Sequence, residues 1–363
     1  MQLVNIVSHC LYNFFIYCYG GFIRLFSLFN TKAKFWIEGR KNTFDTLNQF
    51  KQQCNKPIVW VHCASLGEFE QGRPLIERMR SEETQRAFII TFFSPSGYEI
   101  RKDYSGADLV CYLPLDTPRN ADRFIKIVAP QMAVFVKYEY WFNYMKSLYK
   151  HSIPLYVVSA IFRPNQYFFK NYGIWFAKQL ALVSHFFVQN QTSCELLNSL
   201  GYQNYTLCGD TRFDRVFEIS QNKASYPLIE AFCKSNKDSK IWVIGSSWHP
   251  DELLFVSLIA KEKGIRLIIA PHEIEESHIR QIELLFPLQR VVLYTSATQE
   301  TAANGDVLII DTIGMLSQVY RYAYIAYIGG GFGAGIHNIL EAAVYSIPVI
   351  FGPRYQKFDE AVS

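Results

Sequence analysis

The stretch IGGGFGAGIHNILEAAVYSIPVIFGP, residues 328–353, decides how this chain is read. A β-branched and aromatic run, Tyr324 to Ile328, ends in Gly329, Gly330 and Gly331. The loop Phe332–Ile336 leads to His337 and Asn338, a helical run covers Ile339 to Tyr345, and a short strand, Pro348 to Phe351, closes on Gly352-Pro353. Strand, glycine-rich turn, helix, strand is a βαβ unit whose helix starts above the sheet. Free backbone N–H groups and a positive dipole end make that spot an anion site. The carboxylate Glu341, one turn inside the helix, would repel a phosphate but suits the hydroxyls of a ribose. Phosphate above and ribose beside describe a nucleotide pocket. The bland alternative is a tight turn of an α/β protein. The spacing is not GxGxxG with an acid further on, and the P-loop lysine is missing, so a nucleotide-sugar pocket fits better than a dinucleotide or triphosphate site.

Upstream, the same pattern recurs. Buried strands are expected at 58–64, 87–93, 109–116, 131–141, 154–160, 185–190 and 205–210, with helices between them. Pro118 falls at a first-turn position of the helix expected over 117–130. Residues 218–239 are polar and carry no strand, which marks a linker. The pattern restarts with strands at 240–247, 265–272, 290–296 and 306–311, and runs into the opening stretch. Alternating βαβα implies mostly parallel sheets. The expectation is an α/β chain of the glycosyltransferase-B fold, with two Rossmann-like domains facing a cleft and an N-terminal membrane helix. Its parts would be an anchor helix over 1–30, a first Rossmann-like domain over 31–217, the linker 218–239, and a second, nucleotide-sugar-binding Rossmann-like domain over 240–363. Because a glycosyltransferase-B fold normally continues with C-terminal helices beyond the point reached at Ser363, a shortened form is expected.

Composition narrows the function classes. The chain has 363 residues and half are apolar, enough for two large cores. A net charge of +4 is too weak to indicate nucleic acid, and no zinc-finger or RNA-binding signature is present. Eight scattered cysteines without a CxxC pair read as small buried residues in a reducing compartment. There is no DxD motif, no histidine pair at ligand spacing and no GxSxG elbow, so neither a metal nor another cofactor is expected. Residues 3–29 are aliphatic and aromatic with no fixed charge before Arg24. That length suffices for a membrane helix, although Asn5, Ser8, His9 and Asn13 interrupt it. Arg24, Lys32, Lys34, Arg40 and Lys41 follow, against Glu38 and Asp45, placing that flank on the cytoplasmic side of a membrane and offering cations to lipid head groups.

Polar residues gather at the ends of the expected strands. Glu68 in His62-Cys63-Ala64-Ser65-Leu66-Gly67-Glu68 is either a helix cap or a general base. Glu139, in Lys137-Tyr138-Glu139-Tyr140-Trp141, is an ion-pair partner or a site acid. Arg212 either meets an anion or pairs with Asp210 or Asp214. Pro271-His272 and Ile313-Gly314-Met315 end two strands of the second half.

These segments carry a specific likeness. WVHCASLGE (60–68), YLPLDTPRNADRFIKIVAPQMAVFVKYEYW (112–141), GDTRFD (209–214), APHEIEE (270–276), DTIGML (311–316), GGGFGAGIHNILEAA (329–343) and FGPRYQKFDE (351–360) together resemble the Kdo transferase family. Its members move 3-deoxy-D-manno-oct-2-ulosonic acid (Kdo) from CMP-Kdo to the lipid A precursor, an anionic glycolipid, with inversion. The resemblance implies Glu68 as proton acceptor, and Glu139 and Arg212 as transition-state stabilisers. It places CMP contacts on Pro271, His272, Ile313, Gly314, Met315, Asn338, Ile339, Leu340 and Glu341. This chain departs from the family's pattern at Lys137, where an acid is common, at Arg212 for lysine, at His272 for arginine, at Met315 for an acid and at Ile339 for proline. An epimerase of the same fold and a non-catalytic nucleotide-sugar binding protein are the alternative readings.

Overall fold

The computed structural model describes residues 2–221, 224–235, 239–356 and 358–362, and the chain divides into two compact units, Met1–Arg212 and Phe213–Ser363. The first unit is built on seven parallel strands: β1 Ile58–Cys63, β2 Ala87–Phe92, β3 Leu109–Tyr112, β4 Met132–Val136, β5 Leu155–Ala160, β6 His185–Val188 and β7 Tyr205–Leu207. Their order is β3-β2-β1-β4-β5-β6-β7, so the winding reverses between β1 and β4. Every residue of β1 and β2 is buried, the mark of a strand covered on both faces. Alternation sends Ile58 and Trp60 into one apolar cluster and Val59, Val61 and Cys63 into the other.

The second unit repeats the design with six parallel strands: β8 Lys240–Ser247, β9 Ile265–Pro271, β10 Val291–Leu293, β11 Val307–Ile309, β12 Ile325–Ile328 and β13 Val349–Phe351. The order is β10-β11-β9-β8-β12-β13, with its reversal between β8 and β12. The stretch 218–239, expected as a linker, includes the helix Pro227–Lys234, whose Ile229 and Phe232 are buried in the core of the second unit. That unit begins at Phe213, within the helix Thr211–Gln221.

The N-terminal helices are α1 Gln2–Phe26, α2 Thr31–Glu38 and α3 Thr43–Gln53, followed by α4 Leu66–Glu82, α5 Pro95–Arg101 and α6 Pro118–Val128. Residues 6–26 are long and apolar enough to cross a membrane. The helix nevertheless has two faces. Leu11, Phe14, Phe15, Phe22 and Leu25 are exposed, each by more than half. Its other face is docked on the first unit: the Tyr12 hydroxyl donates to Asp116 (2.5 Å), Asn143 Nδ2 donates to Asn13 Oδ1 (2.9 Å), and His9 meets Asn143 Oδ1 at 3.2 Å. Tyr12 also packs edge-on to Phe142, and Tyr19 stacks on Phe93. His9, Tyr12 and Asn13 stand at i, i+3 and i+4, on one side of the helix, and that side is the docked one.

Candidate functional site

In a doubly wound sheet, ligands bind beyond the carboxyl ends of the strands at the point where the winding reverses. In the first unit those strands are β1 and β4, and each is followed by one of the expected acids: Glu68 after β1, Glu139 after β4. Glu68 is the third residue of α4 and completes a capping box. The Ser65 backbone N–H donates to its Oε2 (3.1 Å), and the Ser65 hydroxyl donates to the same oxygen. The cap reading of Glu68 is therefore realised, and it uses one carboxylate oxygen.

Glu139 lies beside a histidine to which the sequence reading gave no role. His62 is fully buried, and its Nε2 is 3.8 Å from Glu139 Oε2. The Trp141 indole N–H donates to that same Nε2 (3.0 Å), which makes Nε2 an acceptor and puts the ring proton on Nδ1, 2.9 Å from the Thr91 hydroxyl. Trp141 in turn packs on Phe93, with ring centroids 4.6 Å apart. A chain of contacts thus fixes the β4 turn against β1 and β2.

Lys137, also without an assigned role, faces Glu68, Arg212, Asp210 and Arg163. Burial pushes its ammonium pKa down, while Glu68 pulls it up. Its φ of 71° is in the left-handed region, as are Ser159 (50°) at the end of β5 and Ser246 (51°) at the end of β8. Non-glycine residues held there store strain, and such strain gathers at functional ends of strands. Arg212 pairs with Asp210: its Nε donates at 2.7 Å, its Nη2 lies 2.6 Å away, and its backbone N–H also binds the carboxylate. Glu139, Tyr138, Tyr140 and Trp141 also line a cavity of about 650 Å³, walled by aromatic rings and by Leu11, Tyr12 and Phe15 of α1.

In the second unit β8 and β12 flank the reversal. The glycines after β12 serve close backbone packing. A Cβ on Gly329 would come within 2.3 Å of the Ser246 carbonyl oxygen, and one on Gly331 within 2.6 Å of the Gly352 Cα. The loop's amides are largely committed. Gly330 N–H donates to Asp251 (2.9 Å), a fully buried carboxylate that also accepts from the Tyr327 hydroxyl and the Trp248 N–H. Gly333 and Gly335 N–H groups both turn back to the Gly330 carbonyl. The helix expected over Ile339 to Tyr345 has only four helical residues, Leu340–Ala343. A four-residue helix has little dipole, so the anion site expected from free amides and a helix end lacks its physical basis here.

The ribose part of the expectation has more behind it. Glu341 is largely buried, which raises its pKa above the usual carboxylate range, while Asn338 Nδ2 donates to it (3.0 Å) and lowers it in part. Asn338 Oδ1 caps the Leu340 N–H. His272 is brought to the same place: it stacks on His337, with centroids 4.4 Å apart, and lies 4.8 Å from Trp248. The Trp248 indole N–H donates to His337 Nε2, and burial lowers the His337 pKa. Neither Trp248 nor His337 stood out as a site residue in the sequence, since aromatic stacking across loops has no local spacing. Pro271 is buried at the end of β9, and Gly314 has a φ of 98°. Ile313 is 84% exposed, whereas Met315 is buried in the apolar core, so only its backbone can meet a ligand. Among the described residues no three His, Cys, Asp or Glu side chains converge as a metal site.

Comparison with known proteins gives this arrangement a family. Residues 39–215 match the family described as 3-deoxy-D-manno-octulosonic-acid transferase (kdotransferase). The 3-deoxy-D-manno-octulosonic acid transferase of Haemophilus influenzae is 26% identical over 319 residues, 83% of this chain and 72% of that protein. The enzyme of the same name from Aquifex aeolicus is also 26% identical, over 84% of this chain and 78% of its own length. Among solved structures, a UDP-N-acetylglucosamine 2-epimerase aligns with TM-score 0.57 over 85% of this chain and 81% of its own, at 13% identity. The Neisseria meningitidis UDP-GlcNAc 2-epimerase aligns with TM-score 0.52 over 76% and 78%, at 16% identity. At such identities the epimerases show the shared two-domain fold alone. The sequence matches to the transferases go further, and residues 39–215 form a Kdo transferase family domain.

Proposed function

We propose that this glycosyltransferase moves Kdo from CMP-Kdo to the lipid A precursor, with inversion, at the cytoplasmic face of the inner membrane. The observation that carries the reading is the placement of Glu68 and Glu139 after the two strands that flank the winding reversal of the first unit. The capping bonds end on Glu68 Oε2, so Oε1 is the oxygen suited to take the proton of an attacking glucosamine hydroxyl. Glu139, steadied beside His62, and Arg212, held by Asp210, stabilise charge as the bond to CMP breaks. CMP leaves with a single phosphate, and one well-placed cation can balance it. Pro271, His272, Ile313 to Met315 and Asn338 to Glu341 are the proposed CMP contacts, with the His272–His337 stack offering flat faces to the base. The aromatic cavity beside Glu139 and α1 suits an acyl-bearing acceptor. A transfer assay with CMP-Kdo and the lipid A precursor tests this, with the added sugars counted on the product. No sugar on the product from the intact chain rejects it.

Two expectations follow. A Glu341 that holds ribose hydroxyls must be ionised to accept them. Its raised pKa means that CMP affinity should fall as pH drops, beginning above the range of an ordinary carboxylate. Calorimetric titration of CMP across pH checks this, and Glu341→Gln should bind more weakly and lose the pH dependence. A pH-independent wild type would remove Glu341 from the site. For localisation, α1 is proposed to lie in the membrane interface with its exposed face in lipid. Phe14→Glu/Phe22→Glu should abolish flotation with vesicles without lowering the melting temperature, since neither side chain is in the core. Undiminished flotation would place the membrane contact elsewhere.

A further inference from the structure

A second cavity of the first unit, about 710 Å³, lies where α1, α2 and the start of α6 meet. Arg24, Arg40, Lys41 and Arg119 line it, and none of its described lining residues is acidic. Among the described residues Arg40 has no ion-pair partner, and backbone carbonyls fix it. Its Nε donates to the Leu113 carbonyl (2.8 Å), Nη1 to that of Trp36 (3.0 Å) and Nη2 to that of Phe93 (2.5 Å). Its guanidinium lies 3.7 Å above the Trp36 ring. Carbonyls and ring faces orient a cation but do not neutralise it, and burial pulls the Arg40 pKa down to about 9. An anion entering the cavity would offset that unfavourable burial. Arg24, Lys41 and Arg119 are exposed at its rim, with no ion pair found for them among the described residues. The first turn of α6, capped by Thr117 at Asn120 N–H, adds the positive end of an 11-residue helix.

The remaining wall identifies the kind of anion. Tyr17, Gly20 and Gly21 of α1 line the same cavity, on the helix whose Phe22 and Leu25 are more than half exposed. A ligand in contact with both surfaces has an apolar body along α1 and a compact anionic head among guanidinium and ammonium groups. Phosphate is the head that arginine pairs with best. We propose that this cavity binds the phosphate group of an amphiphile whose apolar part lies against α1. The inference rests on α1 as a membrane-contacting helix and does not depend on which sugar is transferred. Two sources share the chemistry, a phospholipid head group and a phosphorylated glycolipid.

Vesicle partitioning of the full chain tests it. Phosphatidylcholine vesicles would be doped with phosphatidic acid, with a phosphorylated glucosamine disaccharide lipid, or with a carboxylate amphiphile at equal surface charge. The wild type should prefer at least one phosphate dopant to the carboxylate by about tenfold or more, the scale of a lost charge-assisted contact. The larger preference identifies the source. Lys41→Ala/Arg119→Ala should erase that preference, whereas Lys32→Ala/Lys34→Ala, which removes the same charge from α2 outside the cavity, should keep it. Equal binding to phosphate and carboxylate, or the same loss in both variants, overturns the proposal in favour of diffuse attraction. Thermal melts of both variants show that the fold is intact. Because only binding is read, the outcome stands whether or not Kdo transfer is observed.

Discussion

Glu68→Gln is expected to lower kcat for Kdo transfer by about 10²–10⁴-fold while leaving the fold and the affinity for CMP-Kdo unchanged. The substitution is chosen because it separates an observed role of Glu68 from a proposed one. Glu68 closes the capping box of α4 through Oε2, and the proposed function makes it the base as well. Glutamine at the third position of a helix still reaches back to the capping residue, so the cap survives. It cannot accept a proton, so the base does not. Glu68→Ala removes both and should add a stability loss of about 1 kcal/mol. Steady-state kinetics with both variants, beside denaturation curves, separate the two roles. If Glu68→Gln retains transfer within tenfold of wild type, Glu68 is a cap and the base lies elsewhere. Lys137 would then be the first residue to test, since its ammonium faces Glu68 and burial already disfavours its charge.

What could be read from the sequence divides along the range of the interactions. The buried strands are legible because burial on both faces leaves unbroken apolar runs: IVWVHC, AFIITF and IRLIIAP are strands, each ending one residue before the expected bound. Glu68 and Glu139 stood out because a polar residue after such a run is a local signal. The polar partners that fix them are not local. His62 and Trp141 were visible only as letters of a motif, and their hydrogen bond joins the ends of β1 and β4 across a sheet whose strand order no single strand reveals. The glycine-rich stretch shows the limit most clearly. Its strands are where they were expected, but Asp251, which takes the Gly330 N–H, sits after β8 far upstream in the chain. Nothing within 328–353 indicates that its amides are already bonded. The helix there is short for a similar reason: Asn338 caps it early, and the chain turns at Ser346, held at a φ of 56°. In α1 the interrupting Asn5, Ser8, His9 and Asn13 weaken the reading of a membrane helix, and His9 and Asn13 share one face with Tyr12. Their spacing on one face was the signal for docking.

Asp116→Ala should destabilise the first unit by about 3–5 kcal/mol, because it leaves three buried donors without an acceptor. The carboxylate is 1% exposed and accepts from the Tyr12 hydroxyl (2.5 Å) and from the Asn143 (3.2 Å) and Tyr144 (3.0 Å) backbone N–H groups. Those amides belong to the first turn of the helix Phe142–Lys150, which Trp141 precedes, so Asp116 caps that helix from a distance. A loss of this size corresponds to a fall in melting temperature of about 10 °C. Burial pushes the Asp116 pKa up to about 6, with the three hydrogen bonds opposing the shift. The folded pKa is therefore above the unfolded one, near 3.9. The folded state holds the proton more tightly, so this group's contribution favours folding below about pH 4, declines as pH rises to about 6, and is constant above that. Asp116→Asn keeps one acceptor and cannot titrate. It should be less destabilised than Asp116→Ala, and subtracting its stability profile from that of wild type should isolate the decline. An unchanged profile in Asp116→Asn, or an Asp116→Ala melt close to wild type, would refute this account. The functional weight of the residue follows from its partners. Through Tyr12 it holds α1, and through the start of the helix Phe142–Lys150 it holds Trp141, the donor to His62 beside Glu139. Loss of Asp116 should therefore weaken vesicle binding and Kdo transfer together, whereas Tyr12→Phe, which cuts only the α1 branch, should weaken vesicle binding more than transfer.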